Sequence, residues 1–356
     1  MMRAQLRSGL LALAVLAAGV GALYGLHRLR APHRKPMLAG TGQAARVVRV
    51  GIFPNVTHAV PLLGLAQGDF ARALGPEVRI ETVEFNAGPS AVEALFAGSI
   101  DLAYIGPNPA INAHQRQPGS VRIVAGAADG GASLVVRGDA GIASPADLKG
   151  RKLATPQLGN TQDVAARAWL REKGLEGVAL LPMRNPDQLS AFLQKDIDAA
   201  WTVEPWVSRL VREAGGRILL DERELWPGRR FPTTLLLVDR RFLETNPLLL
   251  RNWLRAQVEV VERAQADPAA ARRALNAELA RLTGKALKAE VLEDAWSRFS
   301  LTWDPLPEAL ERNARQAFEL GYLGKTPPDL QGLFDLGPLN DVLRAAGRPP
   351  LPERRR

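Results

Sequence analysis

Three short segments of this 356-residue chain gather groups able to hold an anion without a charged side chain. Asn55, Thr57 and His58 lie in PNVTHA (54–59), Gly106 and Asn108 in GPNP (106–109), and Asn160, Thr161 and Gln162 in GNTQ (159–162). Each follows an apolar run that reads as a strand and precedes a pattern that reads as a helix. A strand that stops where a helix starts leaves backbone N–H groups unpaired and aims the positive end of the helix outward. Hydroxyl and amide side chains at the same place add neutral donors, and His58 could add a charged one. Thr233, in FPTT (231–234), belongs with them as a hydroxyl at the expected return crossing of the chain, within reach of the cleft. Gly131 and Ser133 sit in GGAS (130–133), where glycines let a backbone flex or approach a ligand. Glu204 is different in kind. Preceding Pro205, it suits a helix terminus; facing a cleft, it would repel a bare anion and favour one that also carries an amine or hydroxyl.

Other chemistries lack their residues. There is no cysteine, which removes thiolate nucleophiles, thiolate metal sites, disulfides and a lipid-anchor cysteine. Of the four histidines, His27 and His33 lie near the start, and no paired-histidine metal spacing or Ser-His-Asp order stands out. No metal, cofactor or catalytic residue is expected.

The elements that must position these segments alternate strongly. VVRVGIF, VRIETVEF, DLAYIG, VRIVAGA, SLVVRG, RKLATPQ, VALLPMRN and DIDAAWTV read as strands, most separated by helical patterns. That rhythm predicts an α/β protein with parallel-rich sheets built from βαβ units and flanked by helices. From Phe242 onward the pattern turns helical, as a C-terminal extension. Residue n and residue n + 97 echo one another: Ile100 with Ile197, Asp101 with Asp198, Ala103 with Ala200, Tyr104 with Trp201. The echo predicts two similar lobes that present equivalent strand ends to one cleft, where open α/β sheets bind ligands. The expected division is 46–131 with 232–345 as lobe 1, 132–231 as lobe 2, and 346–356 as a basic tail.

The formal charge of +9 is carried by the ends. Residues 1–35 hold six basic residues and no acid, Glu353–Arg356 contributes +2, and about +1 is left for the body. No nucleic-acid partner is expected of so neutral a body. Arg3 and Arg7 before the apolar stretch Gly9–Leu26 read as a signal peptide or an N-terminal membrane anchor over residues 1–45. Either places the body in the periplasm.

PNVTHA, FNAGPSAVEALFAGSIDLAYIGPNPAI (85–111), AGAADGGASLVVR (125–137), VEPW (203–206) and GLFDLGPLNDVL (332–343) occur in order. As a set they resemble the periplasmic solute-binding proteins of nitrate, sulfonate and taurine importers. The resemblance implies a two-lobed type II periplasmic-binding-protein fold. It also implies capture of a small oxyanion, an aliphatic sulfonate or taurine first, and delivery to the permease subunits of an ABC importer by a monomer. An enzyme on the same fold, acting on a sulfur compound or a pyrimidine precursor, is the alternative.

Overall fold

A computed structural model describes residues 46–352. The signal or anchor expected over 1–45, and the end of the basic tail, lie outside the described residues.

The chain opens with β1 (Arg46–Ile52), whose Val48, Val50 and Ile52 alternate into the core. A single 3-10 turn, Val56–His58, leads into α1 (Ala59–Ala66) and α2 (Asp69–Leu74). Then follow β2 (Val78–Glu84), α3 (Gly88–Phe96), β3 (Leu102–Ile105), α4 (Pro107–Arg116) and β4 (Val121–Gly130). One residue, Gly131, separates β4 from β5 (Ala132–Arg137), yet the two strands belong to different sheets. Gly130 and Gly131 both adopt positive φ, +79° and +77°, which a residue with a Cβ resists. The crossing therefore needs this pair.

The second sheet is built by β5, β6 (Lys152–Thr155), α5 (Thr161–Glu172), β7 (Ala179–Pro182), α6 (Asn185–Leu193), β8 (Ala199–Val203), α7 (Trp206–Ala214) and β9 (Gly216–Asp221). The chain returns through two 3-10 turns to β10 (Pro232–Asp239) in the first sheet. The helical remainder comprises α8 (Arg240–Thr245), α9 (Pro247–Ala266), α10 (Pro268–Thr283), α11 (Ala289–Ser297), the short β11 (Phe299–Leu301), α12 (Pro307–Glu319) and α13 (Gly337–Ala345).

The strand orders are β11-β4-β10-β3-β1-β2 and β7-β6-β8-β5-β9. Both sheets are mixed. The pairs made by βαβ units, β1 with β2 and β3, and β6 with β7 and β8, are parallel. The strands that arrive from the other lobe run against their neighbours: β10 lies antiparallel between β3 and β4, and β5 antiparallel between β8 and β9. Strand-to-strand rhythm alone predicts parallel pairing; the crossovers add the opposite direction.

The echo between the lobes is geometric. Asp101 joins β3 to Arg49 of β1, accepting at its carboxylate from the Arg49 N–H (2.8 Å). Asp198 joins β8 to Lys152 of β6 in the same way (2.9 Å). One residue on from the shared alanines, Tyr104 and Trp201 are both fully buried. Tyr104 donates to Gln257 (2.6 Å) and accepts from Trp253 (3.0 Å), while Trp201 donates to Glu222 (2.7 Å).

The C-terminal helices do more than extend lobe 1. On α9, Leu250, Trp253, Leu254, Gln257, Val258 and Val261 form one buried face at helical spacing, with Trp253 stacked on Phe70 at 3.9 Å. Further on the chain reaches lobe 2 at several points, two of them ion pairs made by helices α11 and α12. Asp294 of α11 accepts from Arg212 of α7 (2.6 and 3.1 Å), and Glu319 of α12 accepts from Arg171 of α5 (2.6 Å). Among the described residues no helix is long and apolar enough to cross a membrane.

Candidate functional site

The C-terminal ends of six parallel strands converge on one small cavity of about 30 Å³ between the lobes. From lobe 1 come Phe53, Asn55, Thr57 and His58 after β1, Asn86 after β2 and Gly106 after β3. Pro156, Asn160, Thr161 and Gln162 after β6, Asn185 after β7 and Val203 after β8 close it from lobe 2, and Thr233 of β10 completes the wall. Eight of the twelve residues singled out in the sequence thus meet at one place.

The segment after β1 is fixed by its own histidine. The Phe53 N–H donates to Nδ1 of His58 (3.3 Å), and the two rings stack at 4.5 Å. Because Nδ1 accepts, the proton of the neutral ring belongs on Nε2. Burial pushes the His58 pKa from 6.5 down to about 3, so the ring is a neutral donor and not the charged one its residue type allows.

After β6, Asn160 caps α5 by accepting from the Gln162 N–H (2.8 Å). The buried Asp163 ties the turn together, accepting from Thr155 (2.9 Å), the Gly159 N–H (3.0 Å) and the Tyr322 hydroxyl (2.8 Å). Thr161, the first residue of α5, is buried, and its hydroxyl has no hydrogen-bond partner. A buried polar atom left unpaired is costly unless something else satisfies it. Gly106 faces that hydroxyl from the other lobe. A Cβ built on Gly106 would lie 2.3 Å from Thr161 Oγ1, closer than any real contact. Any side chain at 106 would have to push that hydroxyl aside for the lobes to approach as they do.

The first turn of α4 is a poorer anion cradle than the GPNP sequence suggests. Pro107 and Pro109 occupy two of its first three positions and have no N–H to offer, leaving that of Asn108. No lysine, arginine, aspartate or glutamate lines the cavity. Its donors are amides, hydroxyls, one imidazole and backbone N–H groups.

Four sequence candidates lie elsewhere. Asn108 points into the lobe-1 side of a neighbouring hollow and donates to the Asn313 carbonyl (3.4 Å). Gly131 is the crossing residue, with Phe299 packed where a Cβ would be (2.9 Å). Ser133 is enclosed within the second sheet, opposite Thr202 of β8 and Asp221 of β9. Glu204 is corrected most sharply. It is fully buried and accepts from the N–H and hydroxyl of Ser208 (both 3.0 Å) and from Arg298 (3.2 Å), so it joins lobe 2 to the C-terminal extension instead of facing the cleft. Burial raises its pKa, with Arg298 and Ser208 opposing.

The cavity also holds Asn86 and Asn185, which sequence reasoning missed. A signal was present: Asn86 lies just before α3 and Asn185 opens α6, each a few residues after a strand and beside a proline in the first helical turn. Among the described residues no group of three or more histidines, aspartates and glutamates could hold a metal ion.

A model of the NMT1-like family matches residues 42–280. The chain belongs to this family. A binding protein of Brucella abortus (strain 2308) is 31% identical to this NMT1-like chain over 194 residues, 52% of the chain and 56% of the relative. The chain thus spans little more than half the length of that relative. The taurine-binding periplasmic protein of Escherichia coli (strain K12) is 26% identical over 227 residues, 63% of this chain and 69% of that one. In fold, the chain matches the alkanesulfonate-binding protein of Xanthomonas axonopodis pv. citri, solved bound to MOPS. The TM-score is 0.69 at 22% identity, over 82% of this chain and 99% of that one.

Proposed function

We propose that this NMT1-like protein is an extracytoplasmic binding component of an ABC importer, which captures a small oxyanion, foremost an aliphatic sulfonate, and passes it to the permease. The observation that carries the reading is the unpartnered, buried hydroxyl of Thr161 in an uncharged cavity at six strand ends. A sulfonate is ionised at every usable pH and needs neither a proton nor a full counter-charge; helix termini and neutral donors suffice. The names of its relatives, which bind taurine and alkanesulfonates, support the same reading and favour capture over catalysis. A cavity of about 30 Å³ admits only a few atoms, so the ligand enters when the lobes part and is enclosed when they close about Gly130 and Gly131.

Calorimetric titration of the exported protein with methanesulfonate, nitrate and sulfate tests the reading, together with the Thr161→Val variant. The valine keeps the shape and removes the hydroxyl. Affinity should fall by roughly ten- to a hundred-fold, the range of a hydrogen bond to a charged group, with stability unchanged because that hydroxyl bonds nothing in the protein. Full-strength binding by the variant would reject the site. Sequencing the N-terminus of the exported protein separates a cleaved signal from a retained anchor, and gel filtration tests the expected monomer.

A further inference from the structure

Beside the inner cavity lies a second chamber of about 320 Å³, and the two share Asn55, Asn86 and Asn185 in their linings. That volume is within the range of small-molecule sites. Phe85 from lobe 1 and Trp206 from lobe 2 contribute aromatic walls, and Leu279 and Leu287 add aliphatic ones from the joint between α10 and α11. Trp206 is held in place: its indole N–H donates to Asn55 across the lobes (3.1 Å), and the Arg209 guanidinium lies over its ring at 4.8 Å. The charge around this chamber is one-sided. Its walls carry Arg209, Lys285 and Lys288 against one carboxylate, Glu213. Arg209 already occupies Glu213 (3.0 Å), and neither Lys285 nor Lys288 has an ion pair among the described residues.

Resting on the oxyanion-capture reading above, we propose that the ligand has three parts. An oxyanion head fills the inner cavity, a flat aromatic or extended hydrocarbon body lies between Phe85 and Trp206, and a second anionic group at the far end meets Lys285 and Lys288. Aromatic faces suit such a body, and an acid group at the rim completes the charge that Glu213 leaves unbalanced. An amino-sulfonate is the wrong complement, since its ammonium finds no free carboxylate in either chamber.

The test is calorimetric titration of the full-length protein with methanesulfonate, taurine, benzenesulfonate and 4-sulfobenzoate. Benzenesulfonate should bind more tightly than methanesulfonate. 4-Sulfobenzoate should gain a further factor of about ten, as two partly screened ion pairs would give, and lose most of it in 0.5 M salt. Lys285 and Lys288 are exposed, so a Lys285→Ala/Lys288→Ala variant folds normally; it should bring 4-sulfobenzoate down to the level of benzenesulfonate, whose own affinity falls far less. Methanesulfonate or taurine binding as tightly as 4-sulfobenzoate, or an unchanged preference in the double variant, overturns the three-part ligand while oxyanion capture stands. Silence toward all four sulfonates instead rejects capture itself.

Discussion

Gly106 faces Thr161 across the lobes, close enough that any side chain at 106 would meet the Thr161 hydroxyl. In Gly106→Ala the new Cβ would collide with Thr161 Oγ1 at 2.3 Å, whereas the Thr161 Cβ lies 3.4 Å away, an ordinary contact. Gly106→Ala should therefore lose binding and scatter X-rays as an opened molecule even with saturating ligand. Gly106→Ala/Thr161→Ala should close again, though with the weak affinity of the missing hydroxyl. A double variant as open as the single one would show that the clash lies elsewhere. Glu204 gives a second residue-scale prediction. It reads in the sequence as a selector of amino-sulfonates, but its partners are Ser208 and Arg298. Glu204→Gln should thus weaken taurine and methanesulfonate alike, and lower stability by about 3 kcal/mol in urea unfolding, because Arg298 is left without its carboxylate.

At the scale of elements, α11 and α12 set how firmly the lobes stay together. Both anchor to lobe 2 through exposed ion pairs, Arg212 with Asp294 and Arg171 with Glu319. Such pairs are worth about 0–1 kcal/mol each. Arg171→Ala/Arg212→Ala should leave the melting temperature nearly unchanged but speed ligand entry several-fold, since fewer contacts break on opening; stopped-flow mixing with tryptophan fluorescence reads this directly. These bridges were not legible in the sequence, because long-range pairs between surface arginines and acids leave no periodic trace. Much else was. Asn55, Thr57, Asn160 and Thr161 could be placed at the cleft since strand-to-helix junctions follow from local pattern, and Gly130-Gly131 marks the crossing by backbone geometry alone. Glu204 and Ser133 were misplaced for a related reason: pattern locates a residue at a strand end or in a strand, but which way its side chain turns depends on neighbours distant in the chain, here Arg298 and Asp221. The parallel-rich expectation met the same limit, as β10 and β5 take their direction from where the chain comes from, not from their composition.

Across the whole molecule, pH should separate stability from binding. The inner cavity holds no group that changes charge near neutrality: His58 stays neutral down to about 3, and a sulfonate stays ionised. Affinity for methanesulfonate should therefore be flat from about pH 5 to about pH 9. Stability should not be flat. Glu222 is buried beside Trp201, and burial raises its pKa from 4.5 to about 7. Between those values the folded protein holds a proton that the unfolded chain has released, so this group makes the fold less stable as pH rises from 4.5 to 7. His58 acts oppositely. Its folded pKa of about 3 lies below the ordinary 6.5, so the unfolded chain takes up the extra proton in that window and the fold loses stability as pH falls. Over the shared window the two oppose one another in the native sequence. Glu222→Gln keeps an acceptor for the Trp201 N–H and removes its titration, which leaves His58 opposed by Glu204, whose pKa burial also raises to about 7. Relative to the native protein, the variant should lose up to about 1.4 kcal/mol of stability for each unit of pH lowered from 7 toward 4.5, as one proton of linkage requires. Urea unfolding across that range measures it, and a constant difference between the two proteins would mean that Glu222 is already ionised in the fold.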